Sequence, residues 1–378
     1  MQWSIAALVR RTGALVIWVH LMSTLNVAIV GTGGISLQNH LPGLALCKDV
    51  KVHALCDSNP ATLETARQQT GAPVASTKWE EVVTRDDVDA VIIATPNFLH
   101  PDIAIAAARA GKHILCEKPI ALDAPTAHRM AEEADRAGVR HMTAFTYQFV
   151  PAMRYLRYLV AQGEMGTPYH FRSCRLQDWG TRNLGWRQVK KLAGTGEIGD
   201  MLSHRIDFAL QLVGPMKRLV ANLMTLTPVR GGAPNDTDDW VAILAEFRNG
   251  ASGVLESSKL ASGRNESWRS LDYVEINGSE GTYEFTTSKW NELQYGKAGG
   301  PGLKTRVIPP EFHVWPGSPR DPGVGDPLVT FRYDQALEFV NAIREQRSCS
   351  VTFHDGARAQ AVMDAAVRSA ETRQWVDL

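Results

Sequence analysis

Between residues 25 and 145 short apolar runs alternate with helix-like stretches, and few folds accept that alternation. "LNVAIVG", "VKVHALCD", "VDAVIIATP", "KHILCEKP" and "VRHMTAFT" are continuous rather than alternating in hydrophobicity, as strands buried on both faces are. "NPATLETARQQTG", "LHPDIAIAAARAGK" and "DAPTAHRMAEEADRAG" lie between them with helical patterns. Strand–helix–strand repetition of this kind predicts a parallel, doubly wound sheet. After Pro151 the texture changes. A helix ("PAMRYLRYLVAQG") precedes a strand candidate ("TPYHFRSCRLQDW"), an aromatic loop ("DWGTRNLGWRQ") and a second helix ("IGDMLSHRIDFALQLVG"). Residues 217–295 read as strands, with a hairpin at Asn249-Gly250. Residues 296–327, rich in Pro and Gly, read as one long loop, and helices are expected near 329–346 and 355–372.

The first strand runs into Gly31-Thr32-Gly33-Gly34-Ile35-Ser36. A tight strand-to-helix turn would use such glycines, but a phosphate explains them better in this context. The turn follows a buried strand, opens a helix and begins a strand–helix–strand unit, so its N–H groups are placed to cradle a pyrophosphate. Ser36 stands where the motif's third glycine usually allows close helix–strand packing. Asp57 ends the second strand, where a carboxylate accepts ribose hydroxyls and repels a 2′-phosphate; as an alternative it caps the following helix. The expected architecture is α/β: an N-terminal Rossmann doubly wound parallel sheet (23–147), then an α+β domain with a large open, mostly antiparallel sheet (148–378). The expected cofactor is NAD rather than NADP.

Three further stretches carry chemistry. "ATPNFLH" ends a buried strand at its carboxyl end, where Thr95, Pro96 and Asn97 serve either the cofactor or turn geometry alone. "CEKPIAL" places Lys118 at the end of the next strand, where partial desolvation suits acid–base work; pairing with Glu117 is the structural alternative. In "GDMLSHRID", Asp200 and His204 are four apart on a helix, so the carboxylate is expected to orient the imidazole. Taken alone, His204 also reads as a buried core histidine. No third ligand has metal-site spacing to this pair, and no metal is expected.

Composition excludes other classes. Lys plus Arg and Asp plus Glu are both 40, so no net field recruits nucleic acid or an anionic membrane. The five cysteines (47, 56, 116, 174 and 349) form no C-x-x-C pair, which points to a reduced compartment. Residues 1–22 carry Arg10-Arg11 before an apolar run too short for the roughly 20 residues that span a bilayer. The run resembles a twin-arginine export signal without a small-residue cleavage site. It is read as a dispensable extension of a cytoplasmic protein, with a periplasmic location as the alternative.

In this order, "VAIVGTGGIS", "LCDSNP", "ATPNFLH", "CEKPIAL" and "GDMLSHRID" resemble the glucose–fructose oxidoreductase/inositol dehydrogenase/rhizopine-catabolism (Gfo/Idh/MocA) family of NAD(P)-dependent oxidoreductases. The resemblance extends from about residue 25 to the end, including "LGWRQ". It implies a Lys118–Asp200–His204 catalytic triad. It implies cofactor contacts from Gly31, Thr32, Gly33, Gly34, Ile35, Asp57, Thr95, Pro96, Asn97, His100, Glu117, Lys118, Gln148, Trp186 and Arg187. It implies substrate contacts from Lys118, Gln148, Trp179, Asp200 and His204. Leu202, where the family usually has glycine, is expected to narrow the pocket floor, and Gln148 stands where Arg or Asn is common. The implied activity is NAD-dependent oxidation of a secondary alcohol in a sugar, glycoside or cyclitol. The alternatives are an NAD-dependent glycosidase working by transient oxidation and elimination, and a non-catalytic nucleotide sensor. A homo-oligomer, dimer or tetramer, is expected through the second domain's sheet.

Overall fold

The computed structural model describes residues 24–266 and 270–378. The extension read at 1–22 lies outside them. Six parallel strands form the first sheet: β1 (Leu25–Val30), β2 (Val50–Cys56), β3 (Val74–Ser76), β4 (Ala90–Ile93), β5 (His113–Cys116) and β6 (His141–Thr143). Their order is β3-β2-β1-β4-β5-β6, so the chain reverses direction across the sheet between β1 and β4. Ligands of open α/β sheets bind at that switch point, beyond the carboxyl ends of the strands. The strand interiors explain the continuous apolar runs. Val27, Ala28, Ile29, Ala90, Val91, Ile92, Ile114 and Leu115 are fully buried between helical layers. β3 is an addition to the five expected strands. It is a three-residue edge piece, paired only to β2 and half-exposed.

The rest of the chain builds a nine-stranded sheet from β7 (Pro168–Leu176), β8 (Met216–Met224), β11 (Trp240–Phe247), β12 (Ser252–Ser258), β13 (Leu271–Gly278), β14 (Gly281–Thr286), β15 (Glu292–Lys297), β16 (Lys304–Val307) and β17 (Val376–Asp377). β9 (Val229–Arg230) and β10 (Ala233–Pro234) make a separate two-stranded ribbon. The large sheet runs β16-β15-β14-β13-β7-β12-β11-β8-β17 and is antiparallel except where β7 meets β12. Its inner face, with Phe171, Leu219, Ile243, Leu255, Val274 and Ile276 fully buried, packs into the apolar core shared with the preceding helices. The β11–β12 hairpin turns at Asn249-Gly250, with Gly250 at φ +90.

One expectation is corrected here. Residues 296–327 are not a single loop: Lys304–Val307 adds an edge strand to β15, and the rings of Phe312 and Trp315 pack, tilted, 4.9 Å from those of Tyr155 and Phe149. Backbone pairing made that strand from a polar tetrapeptide with no hydrophobic alternation to read. Among the described residues no helix is long and apolar enough to cross a membrane.

Candidate active site

A cleft of about 890 Å³ opens at the β1/β4 switch point, and its walls come from both halves of the chain. Its volume is at the upper end of small-molecule pockets. Two glycines of the turn do different work. Gly31 has φ +93, and a Cβ there would lie 2.4 Å from the Ala94 carbonyl oxygen, so β1 and β4 meet at a point only glycine fits. Gly33 and Gly34 line the cleft, and a Cβ at either would meet no protein atom within 4 Å. Their missing side chains leave a cradle facing open space, which fits a pyrophosphate laid against bare backbone. Ser36 closes the turn by donating from Oγ to the Gly31 carbonyl at 2.5 Å.

Asp57 lines the same cleft. Its Oδ2 accepts from Thr32 N at 2.7 Å and Thr32 Oγ1 at 3.1 Å, and its Oδ1 accepts from Asn59 N at 2.8 Å. Three of its roughly four acceptor positions are therefore used, which leaves room for one ribose hydroxyl rather than two. The helix that begins at Pro60 is capped by Asn59 and not by Asp57. Ile35, Thr95, Pro96, Asn97 and Glu117 also line the cleft. Asn97 Nδ2 donates to the Ala193 carbonyl at 2.9 Å, tying the two halves of the chain together.

The expected cofactor contacts at Thr32, His100 and Gln148 are placed differently. None lines the cleft. Thr32 is buried under Asp57, and His100, fully buried, bridges the Thr95 and Pro119 carbonyls at 2.9 and 3.0 Å. Gln148 lies between Asp207, to which its amide donates, and Arg157, from which it accepts at 2.8 Å. Burial raises the Asp207 carboxyl to about 7, against the opposing Gln148 bond. Gln148 thus braces a buried acid.

The segment carrying Asp200 and His204 is held from below by a residue no motif pointed to. Asp238 accepts from Gly196 N at 2.6 Å and Ile198 N at 2.8 Å, and a Cβ on Gly196 would sit 2.0 Å from the Asp238 carbonyl oxygen. From this anchor the chain makes a wide π-type turn, Ile198–Leu202, before the α-helix Ser203–Leu212. The turn overturns one expectation. Asp200 lies in this turn and His204 in the α-helix after it, and no hydrogen bond joins their side chains among the described residues. Asp200 turns to Lys118, whose Nζ lies 3.3 Å from Oδ1 and also donates to the Asp200 carbonyl. Burial alone would raise the Asp200 carboxyl, but the charges of Lys118, Lys259 and Arg187 outweigh it and hold it at about 2. Leu202 does not narrow the pocket floor: it is fully buried in the core, and Met201 lines the cleft in its place.

His204, like Thr32, His100 and Gln148, does not line the cleft: it sits one layer deeper, 3 % exposed, its ring 4.4 Å from that of Tyr147. Its Nδ1 has no hydrogen-bond partner among the described residues. Burial, then the positive charges of Lys118, Arg205, Arg175 and Arg332, keep the imidazole well below its ordinary 6.5. Beneath it, buried Arg175 and Arg205 share the one carboxylate of Asp272. Burial first, and the cations second, thus favour the neutral imidazole, with no carboxylate bonded to the ring to oppose them.

One wall of the cleft is the aromatic loop, from which Trp179, Arg182, Asn183, Leu184, Trp186 and Arg187 reach it. Behind it lies a buried pair that sequence reasoning missed. Lys259 Nζ is 3.9 Å from Glu197 Oε2 and 5.4 Å above the Trp179 ring. Burial, partly offset by Lys259 and Ser257, raises Glu197 to about 8. Neither residue belongs to a recognisable motif; Asp238, in "DTDDW", had at least a dense acidic run as a signal.

Among the described residues one group has metal-ligand spacing: Asp135, His141 and His354. Phe353 N donates to His141 Nδ1 at 3.0 Å, which puts the ring's proton on Nε2, pointing at Asp135 Oδ1 3.0 Å away. That nitrogen has no lone pair to offer a cation, so the cluster ties helix Ala124–Arg136 to helix Phe353–Thr372 and is not a metal centre.

Comparison with known proteins agrees with this geometry. Residues 25–145 match the model of the oxidoreductase family with an NAD-binding Rossmann fold, and residues 153–284 match the GFO/IDH/MocA C-terminal domain. The chain is 33 % identical to the levoglucosan dehydrogenase of Pseudarthrobacter phenanthrenivorans, across 94 % of this chain and 99 % of that protein. It is 28 % identical to the myo-inositol 2-dehydrogenase of Thermotoga maritima, across 63 % of this chain and 69 % of the relative. The solved complex of a levoglucosan dehydrogenase with NADH and levoglucosan superposes with a TM-score of 0.85 at 32 % identity, covering 93 % of this chain and 99 % of that one.

Proposed function

Since the chain belongs to the Gfo/Idh/MocA family of NAD-dependent oxidoreductases, we propose that it oxidises a secondary alcohol of a sugar or cyclitol to the ketone, with NAD as cofactor. The observation that carries this reading is the meeting of Lys118, from the carboxyl end of β5, with Asp200, from the other half of the chain, in the cleft that begins at the glycine turn.

When bound, NAD supplies the hydride acceptor. Gly33, Gly34 and Ile35 would hold its pyrophosphate, and Asp57 its ribose. Lys118 donates a hydrogen bond to the reacting oxygen and favours alkoxide character as the hydroxyl proton leaves. Asp200 aims that amine through its carboxylate and its carbonyl. His204, held neutral, accepts the proton, and the cations around it lower the cost of negative charge on the substrate oxygen. Trp179 and Trp186 offer ring faces to the C–H side of a sugar, and Arg187 offers donors to its hydroxyls. Levoglucosan is the first substrate to try, given the relative at 33 % identity.

A second copy of the chain is the partner this reading gives the outer face of the large sheet, where half-exposed Leu244 pairs across strands with Val220 and Val254. Five free cysteines support a cytoplasmic location. The test is a panel of anhydrosugars, aldoses, glycosides and inositols with NAD⁺ and NADP⁺, followed by NADH absorbance. Oxidation of at least one sugar or cyclitol is expected. Sugar cleavage without net NADH would replace the reading with a glycosidase, and NADH binding without turnover of any member would replace it with a sensor.

A further inference from the structure

The loop that forms the substrate wall has little regular structure of its own, only the short 3-10 turn Gly185–Gln188. Such a wall keeps its shape only where its backbone groups are tied elsewhere. Here the ties run to the β9–β10 ribbon. Arg230, with no solvent exposure, donates from Nη1 to the Gly180 carbonyl at 2.6 Å. Its Nε and Nη2 donate to Asp239 Oδ1 at 3.1 and 2.6 Å. Asp239 Oδ2 accepts from Thr227 N at 2.8 Å, so one buried carboxylate is both the counter-charge and the anchor. The next residue, Gly231, donates from N to the Thr181 carbonyl at 2.7 Å. It has φ +54, and a Cβ there would lie 2.5 Å from Asn183 Cβ, so the ribbon's tip meets the loop backbone to backbone. Gln188 closes the unit, accepting from Leu184 N at 2.8 Å and donating to the Pro234 carbonyl at 3.0 Å.

We propose that Arg230 is a positioning residue for substrate selection: from a buried, charge-paired seat it holds the Gly180 carbonyl and so fixes where Trp179 to Arg187 stand before a sugar arrives. The proposal rests on the dehydrogenase reading above. A preset wall spends less of the binding energy on ordering side chains, and a sugar that fails to match it meets groups that do not yield. Arginine suits the seat because its rigid planar fork spreads donors far enough apart to reach the Asp239 carboxylate and the Gly180 carbonyl at once, a span that a compact ammonium lacks.

Arg230→Lys tests this without leaving Asp239 bare, since the charge stays and the reach to Gly180 is lost. Gly231→Ala strikes the same tie from the backbone. In both variants, hydrogen exchange of peptides covering 178–188 in the cofactor-free protein should quicken by about tenfold or more, with peptides of the β1–β6 sheet unchanged. For the best sugar, KM should rise about tenfold or more, with a smaller change in kcat and in the Kd of NADH. The proposal is overturned if loop exchange or KM stays within about twofold of wild type, or if the sheet peptides quicken as much as the loop. The exchange arm needs no substrate: a wild-type protein that oxidises no sugar refutes the dehydrogenase reading, while unchanged exchange refutes the clamp.

Discussion

Alanine at Gly33 should cost cofactor affinity and no stability, whereas alanine at Gly31, in the same turn, should cost both. At Gly31 the backbone sits at φ +93, where an L side chain costs about 1–2 kcal/mol, and the Cβ would overlap the Ala94 carbonyl oxygen at 2.4 Å. Overpacking against backbone that belongs to the next strand adds about 1–3 kcal/mol, because β4 cannot move without its sheet. Against a total stability of about 5–15 kcal/mol, that is a large fraction. At Gly33 the backbone is not left-handed and the Cβ meets no protein atom within 4 Å. Alanine there removes freedom from the unfolded chain and should leave stability level or raise it by about 0.4–1 kcal/mol. The added methyl can meet only what lies in the cleft. A pyrophosphate pushed off the turn should bind at least tenfold more weakly, about 1.4 kcal/mol. Thermal unfolding without ligand and fluorescence titration with NADH separate the two effects. If Gly33→Ala binds NADH as wild type does, the cofactor does not lie on this turn. If it unfolds at a clearly lower temperature, the geometry given for the turn is wrong.

Lys118→Ala and His204→Ala should each lower kcat by ~10²-fold or more with little change in NADH affinity, and the double variant should be little worse than the worse single one. Steady-state kinetics check this, and wild-type kcat in either single variant would remove that residue from the mechanism. Turnover with NAD⁺ should exceed that with NADP⁺ by about tenfold or more in kcat/KM, and Asp57→Ala should narrow the gap. The same variant should melt lower, because Thr32, buried, loses the acceptor of its N–H and hydroxyl, a loss of about 1–3 kcal/mol for one unsatisfied group. The pH profile has a definite sign. A His204 pKa below its ordinary value keeps the proton-accepting form populated as pH falls, so the acid limb of kcat/KM should lie below about 6.5. A limb at or above that value, lost in His204→Ala, would show an imidazole that burial and the surrounding cations do not govern.

What could be read from the sequence was backbone chemistry. The glycine turn, the buried parallel strands and the hairpin at Asn249-Gly250 each rest on a local constraint that a few residues satisfy alone. β3 and β16 could not be read this way, since "VAS" and "KTRV" are edge strands that owe their form to a neighbour's hydrogen bonds. The site divides along the same line. Lys118, Asp200 and His204 were each visible, but not their pairing. A four-residue spacing on one helix predicts an Asp200–His204 dyad, but Asp200, in the wide turn Ile198–Leu202, meets a lysine 82 residues away. That switch changes the chemistry expected of the histidine. A carboxylate beside it would favour the imidazolium; with Asp200 spent on Lys118, and Asp272 shared between two arginines, nothing offsets burial, and the cations around His204 add to it in favouring the neutral ring. Whether a histidine acts as acceptor or donor therefore depended on how buried charges were distributed among strands far apart in the chain. No spacing within nine residues of one helix could carry that information.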